Sequence, residues 1–453
     1  MDLNSVLLII FAFAGIFIVN LIRFKIPVIV QSMKIDETFP NMTQADESFV
    51  LGSYFYGYVV SQIPLSILGK CISNGKIFGV MMLLTGCTNI FIYFAANPYQ
   101  VGAARVIIGL FQGGSYPLIH GIWHEIASEK NLSNLVSIEY AGGGFGSFLS
   151  PILAVYLIEA FAQDHNSNHL GWKITFLLSG IICIIFSILW LIFFNNLEKS
   201  GKIKKTSTNF QDIKENALKI PWLSILSSLP FWGLVIPQIC SNYGSYSVQL
   251  LTVKYLSTYF NFDFRKAGML SSLPVLAKPV CCILVGYLSM KIIKVRKQND
   301  NRLVVRKTIS WIMFCGTSIA FITTIFLKKS LIGCMICLTL VMGFDGFGPA
   351  AFKANIIEIA PSLAGIVFAV ANTFGNFPGF IAPIVAGTIL EKFEDNVDLA
   401  WTIIFLETGV VCIVGALVFH VLGTVEQQIW DDYRKDDVRK KDVEMEKLYE
   451  VKR

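Results

Sequence analysis

The sequence predicts an all-α membrane protein of twelve transmembrane helices in two six-helix halves. Three observations support this. Of 453 residues, 54% are hydrophobic and only 15% charged, whereas soluble domains carry about a quarter charged residues. Apolar runs of roughly 20 residues, the length that crosses hydrocarbon as a helix, recur along the whole chain. They fall into two groups of six around a long basic segment. Barrel strands alternate and are about half as long. Inside a bilayer each backbone polar group must be satisfied within its own helix or a closed barrel.

Taken in order, the first run, 5–29, is read as a span rather than a secretory leader. It lacks a basic start, is too long, and carries Arg23 near its end without a small-residue cleavage site. The segment 30–47 is acidic, with Asp36, Glu37, Asp46 and Glu47, and holds the sequon Asn41-Met42-Thr43. Spans at 48–69, 77–95, 101–123, 135–161 and 172–195 complete the first half. Residues 196–220 then carry six lysines against three acids. Spans at 230–259 and 267–290 follow, and 291–307 carries seven basic residues against Asp300 alone. The last four spans are 308–327, 331–352, 364–390 and 400–422. The second acidic segment, 391–399, holds Glu391, Glu394, Asp395 and Asp398.

The positive-inside rule puts both basic segments in the cytoplasm and both acidic ones outside. Asn41 is then a glycosylation acceptor, whereas Asn131-Leu132-Ser133 faces inward and stays bare. Both termini are cytoplasmic. The chain divides into an N-terminal half, 1–195, a cytoplasmic linker, 196–229, a C-terminal half, 230–423, and a charged tail, 424–453, read as a solvated helix or disordered segment. The net charge of +6 is explained by this topology, so no nucleic-acid partner is implied. The ten cysteines lie mostly in apolar runs and read as small buried hydrophobes rather than metal or disulfide partners. HExxH, GxSxG and P-loop motifs are absent, so an enzyme is not expected. No resident cofactor is expected beyond a transported proton or sodium ion. The chain is expected to act as a monomer in the bilayer.

Ionisable side chains inside spans are costly and mark functional candidates. They are Arg23, Lys25, Arg105, His120, Glu139, Lys254, Lys278, Asp345, Lys353 and Glu407. Lys25, Lys254 and Lys353 either snorkel to an interface or are buried. Cations outnumber acids, so a cavity lined by them attracts an anion, and arginine grips carboxylate or phosphate bidentately. The competing reading is internal pairing, such as Arg105 or Lys278 with Glu139 or Asp345. His120 shares a helix face with Tyr116 and titrates near physiological pH; a neutral packed histidine is the alternative. Tyr54, Phe55 and Tyr58, with Tyr243 and Tyr246, repeat at helical spacing, for pocket walls or plain packing. Gly142-Gly143-Gly144-Phe145-Gly146 lies in a span and permits close helix contact.

Several strings carry a resemblance. Gly52-Ser53-Tyr54-Phe55-Tyr56-Gly57-Tyr58 with Ser61-Gln62-Ile63-Pro64 is one. Arg105 to Gly109, Gln112-Gly113-Gly114-Ser115-Tyr116-Pro117 and His120-Gly121-Ile122-Trp123 are others. Ser137-Ile138-Glu139-Tyr140, Ser271-Ser272-Leu273-Pro274 and Ala371-Asn372-Thr373-Phe374 continue the match. Together they resemble the anion–cation symporter family of the major facilitator superfamily, which includes sialin, the vesicular glutamate transporters and the type I sodium–phosphate cotransporters. The resemblance implies a substrate site between the halves near the midplane. It also implies secondary active transport of a small organic anion, or phosphate, driven by a proton or sodium gradient. By the resemblance, Arg23 anchors the anion. Tyr54, Phe55, Tyr58, Tyr116, Asn242, Tyr243, Tyr246 and Asn372 form the pocket. Arg105, Gln112, His120, Glu139 and Asp345 are the candidates for coupling or gating, with His120 the first choice as proton carrier and Glu139 and Asp345, which look particular to this chain, the second.

The departures are specific. Proton-coupled members carry glutamate at Gln112, and sialin another at Ile108. The seventh-span arginine of the glutamate transporters is Ser241. The cytoplasmic loop after span four and the gating motif around Gly69-Lys70 and Gly75-Lys76 are altered. A carrier-fold receptor or scaffold, and a facilitative anion uniporter or channel-like carrier, are the other function classes. The expected location is the plasma membrane or an endomembrane vesicle or lysosome.

Overall fold

The computed structural model describes residues 3–35, 39, 42–126, 129–161, 169–201, 220–295, 302–353, 355–361 and 363–432. The sequon Asn41 lies outside them. Twelve helical spans alternate in direction: Leu3–Phe24 with Ile26–Ile35, Gln44–Cys71, Asn74–Ile92, Pro98–Gln112 with Ser115–Ile126, Glu129–Ala160, His169–Lys199, Leu229–Tyr259, Phe264–Val295, Arg302–Leu327, Leu331–Asp345 with Pro349–Lys353, Ala364–Gly375 with Pro378–Lys392, and Val397–Leu422. Among the described residues, nine spans are long and apolar enough to cross a membrane by composition. The other three, spans two, four and seven, are as long but give up apolar length to Tyr54, Tyr58 and Gln62, to Arg105 and Gln112, and to Gln238, Asn242 and Tyr246. These three line or flank the site described below.

The helices outrun the apolar runs. Span one continues to Ile35 and span two starts at Gln44. Glu47, expected in an outer loop, is therefore a fully buried helix residue. Likewise Arg306 belongs to span nine rather than to the preceding basic loop. Hydropathy marks where lipid ends, whereas a hydrogen-bonded helix propagates further wherever protein covers it.

Four spans break near their middles, and each break has the same cause. Prolines 27, 117, 349 and 378 lack the N–H that would bond four residues back, at Arg23, Gly113, Asp345 and Phe374. The helices accordingly stop at Phe24, Gln112, Asp345 and Gly375. Irregular backbone at membrane depth is tolerated where protein re-satisfies it. Asn242 Nδ2 donates to Gly375 O at 2.5 Å, and Arg306 donates to Ala350 O at 2.6 Å and to Glu358 at 3.1 Å.

Within the N-terminal half, spans two and four touch backbone to backbone. A Cβ added at Gly57 would lie 1.9 Å from Val106 O, and one at Gly109 1.9 Å from Tyr54 O. Small residues allow this close approach in lipid. Gly109→Ala is therefore expected to cost about 1–3 kcal/mol of stability and to lower the melting temperature in detergent. Gly286→Ala, where the new Cβ meets open space, should melt like the parent.

The two halves meet tightly at the end away from the linker. Phe55 packs on Gly379, Ser48 on Gly387, and Val155 on Gly268. The beginning of the charged tail is docked rather than solvated. Asn355 Nδ2 donates to Thr424 O at 2.6 Å, Gln428 N to Ile359 O at 2.9 Å, and Leu363 N to the buried Asp431 at 2.9 Å.

Candidate functional site

A cavity of about 170 Å³ occupies the middle of the bundle between the halves, room for on the order of ten waters or one small organic molecule. Arg23 projects into it from the break in span one. Arg23 is 4% exposed and no carboxylate among the described residues pairs with it. One terminal nitrogen donates to Tyr246 Oη at 2.6 Å and Asn376 Oδ1 at 3.3 Å, while Nε has no partner. Aromatic faces surround the cation, with Phe55, Tyr58 and Tyr54 centroids at 4.4, 4.9 and 5.0 Å. Such faces offset part of the desolvation of a buried cation. They supply no full negative charge.

Of the expected pocket residues, the cavity wall holds Arg23, Tyr58, Tyr116, Asn242, Tyr246 and Asn372. Tyr54 and Phe55 stand behind it, packed under Arg23. Tyr243 turns away: its hydroxyl donates to Glu407 Oε1 at 2.8 Å on span twelve. Helical spacing put Tyr243 beside Tyr246, but the two positions lie about 60° apart around the helix, and that offset buries Tyr243 against span twelve instead. Sequence reasoning missed Asn376, which takes Tyr246 Oη at 2.5 Å, and Asn20, which donates to Tyr116 Oη at 3.1 Å. Both are short amides in apolar runs, and no charge marked them. Asn372 links the halves, donating to Gln62 Oε1 at 2.6 Å and accepting from Gln238 Nε2 at 3.1 Å.

The C-terminal half contributes its own charges. Lys278 pairs with Asp345 at 2.6 Å and donates to Ser245 Oγ at 3.0 Å; Ser241 Oγ donates to Asp345 at 2.5 Å. Asp345 itself is not part of the cavity wall, whereas Lys278 is. Lys353, from the broken end of span ten, reaches the cavity and does not snorkel. Lys25 is also buried, bonded to Ser179 Oγ at 2.5 Å and Thr175 O at 3.1 Å.

The expected coupling residues do not form one cluster, since Asp345 stands with Lys278 in the C-terminal half. His120 and Glu139 meet on the linker side. Glu139 is fully buried, accepts from Trp123 Nε1 at 3.0 Å and lies 3.4 Å from His120 Nδ1. That nitrogen also sits 2.8 Å from Tyr116 O. A carbonyl only accepts, so Nδ1 carries the hydrogen. Across the interface His120 faces Phe368, with ring centroids 5.5 Å apart. Arg105 and Gln112 lie outside the cavity. Arg105 donates to Val50 O at 3.2 Å behind Tyr54, and both polar atoms of the Gln112 side chain are unpartnered.

At the opposite end, Glu47 accepts Lys34 at 2.6 Å and Gln31 at 3.1 Å from its own half and Lys254 at 2.9 Å from the other. Lys254 also bonds Gln44. The cavity is therefore closed at the end away from the linker.

A family model described as the Major Facilitator Superfamily matches residues 6–383. Sialin of Ovis aries is 28% identical over 393 residues, covering 85% of this chain and 76% of that protein. Vesicular glutamate transporter 3 of Danio rerio is 25% identical over 397 residues, covering 84% and 64%. The crystal structure of a bacterial homolog of the human lysosomal transporter Spinster, inward-facing and occupied, shares the fold. Its TM-score is 0.69 at 14% identity, over 93% of this chain and 97% of that one. Twelve alternating spans, a cavity between two halves and a model match over most of the length agree: this chain belongs to the Major Facilitator Superfamily, beside sialin and the vesicular glutamate transporters, and is a membrane transporter rather than an enzyme.

Proposed function

We propose that the chain is a secondary active transporter of a small organic anion, or phosphate, working by alternating access and driven by a proton or sodium gradient. The observation that carries this is Arg23, a buried cation in a small cavity with no carboxylate to neutralise it. Burying a charge without a partner is expensive, and an anionic cargo supplies the missing partner. Glutamate, the cargo in the name of one relative, is an anion, which supports the same reading. With the linker end cytoplasmic, as the positive-inside rule argues, the end held shut by Glu47 and Lys254 is the outer one.

A proton is the favoured driving ion, carried by His120 and Glu139. His120 Nδ1 and Glu139 Oε1 stand 3.4 Å apart beside the cavity, placed to share a proton, and His120 contacts the opposite half through Phe368. Occupation of the pair is thereby coupled to how the halves meet. This takes over from the carboxylate that Gln112 replaces. In proteoliposomes a one-unit pH gradient should sustain about tenfold accumulation per coupled proton, since a tenfold ratio is about 1.4 kcal/mol. Glu139→Gln is expected to remove that gradient response while leaving counterflow exchange of labelled anion. Unchanged accumulation in both Glu139→Gln and His120→Ala would exclude this pair, and a response to sodium alone would move the coupling site elsewhere.

A further inference from the structure

We infer that the cargo is a dianion, with one charged group on Arg23 of the N-terminal half and the second on Lys353 of the C-terminal half. The inference rests on the anion-transport reading and narrows its substrate class. Its basis is the charge count of the cavity. Three cations line the wall, Arg23, Lys278 and Lys353. The carboxylate beside them, Asp345, is taken up by Lys278 at 2.6 Å and by Ser241 Oγ at 2.5 Å. Lys278 and Asp345 therefore cancel. Asp345 also attracts Lys353 at longer range, but one carboxylate cannot offset three cations, so two positive charges remain, and Arg23 and Lys353 are the two cations without an ion-pair partner among the described residues. A monoanion neutralises one of them and leaves the other charged in a low-dielectric cavity, where an unpaired charge is costly. A dianion neutralises both.

Backbone geometry supports Lys353 as a built pole. Span ten breaks at Asp345, and its wide turn, Pro349–Lys353, brings the lysine to the wall. Arg306 holds that turn by its bond to Ala350 O. Such wide turns within helices are frequent at functional positions. Because the two poles belong to different halves, a dianion bridging them favours closure of the halves around the cargo. A monoanion on Arg23 alone lacks the second attachment.

The test is a thermal-shift and competition series on the purified full chain, using α,ω-dicarboxylates of four to eight carbons and matched monocarboxylates. Inorganic phosphate is run beside methylphosphonate monomethyl ester, a compact monoanion. The best dianion is expected to bind at least tenfold tighter than its monoanionic match. Lys353→Gln should weaken dianion binding at least tenfold more than monoanion binding, and Lys353→Arg should retain the preference. Arg23→Ala should lose both classes. Equal binding of mono- and dianions to the parent chain overturns the dianion proposal even if no variant folds, and leaves the anion reading intact when Arg23→Ala still abolishes binding. Equal weakening of both classes by Lys353→Gln also overturns it. No binding by any of these anions overturns both readings.

Discussion

Replacing Arg23 by alanine is expected to reduce anion uptake by on the order of a hundredfold, because a buried charge–charge contact to the cargo is worth about 2–5 kcal/mol. The geometry makes a sharper demand on the substrate-free protein. Arg23 has no acid to lose, and its Nε is already unpartnered. What the empty state forfeits is two hydrogen bonds, to Tyr246 and Asn376, and the aromatic contacts of Phe55, Tyr58 and Tyr54. What it gains is relief from a desolvated cation. Arg23→Gln, which keeps a hydrogen-bond donor, should therefore leave the empty protein as stable as the parent or more so, while uptake is lost. An arginine retained for folding behaves oppositely, with a fall in melting temperature alongside activity. Arg23→Lys should fall between, about tenfold down, since an ammonium keeps the charge but not the planar fork. Normal uptake by Arg23→Ala would end the assignment of this residue as the anion anchor.

The fold was legible because lipid imposes a coarse code. Nine spans announce themselves by apolar length, and the other three are still readable as the runs 48–69, 101–123 and 230–259 despite the polar residues within them. Arg23, Tyr58, Tyr116 and Tyr246 were legible as site residues because charge and aromatic rings stand out in an apolar run. Partnership was harder to read. Glu47 was assigned to a loop because hydropathy ends before the helix does, and its partner Lys254 is far away in sequence. Asn376 and Asn20 were invisible, since an amide in an apolar run gives no sign of which ring hydroxyl it meets. Tyr243 was drawn to the pocket by its neighbour, whereas its actual partner, Glu407, is fixed only by how spans seven and twelve pack. The breaks follow from prolines that any reader of the sequence sees. Prolines 64, 151, 237, 274, 279 and 383 leave their helices continuous, so a proline alone does not say which helix breaks; the packing around it, such as the bonds of Asn242 and Arg306 near two of the breaks, is not written in the local sequence.

Glu47→Gln is expected to shift the conformational balance by roughly a hundredfold toward opening at the end away from the linker. Glu47 is fully buried and shared by two lysines. Lys34 belongs to its own half and is partly exposed, but Lys254 comes from the other half and is nearly as buried as Glu47. Breaking a buried pair by removing one partner costs about 3–5 kcal/mol, and here that cost falls on one state. When the halves part at this end, Lys254 and Glu47 are hydrated separately, so the open state loses little. A difference of about 3 kcal/mol is a little over two powers of ten in population. Electron–electron distances between labels at the exposed Tyr99 and Glu394, on the two halves at this end, would report it as growth of a longer-distance population. The ranking is the stringent part. Lys254→Met leaves Glu47 its partner Lys34 and should shift the balance less than Glu47→Gln, which strands a buried lysine. The double variant should shift it less than Glu47→Gln alone, because the stranded charge is gone. Equal shifts from all three would mean that loosened packing, not charge, opens this end, and no shift would mean that the helix contacts at Gly379 and Gly387 hold it closed by themselves.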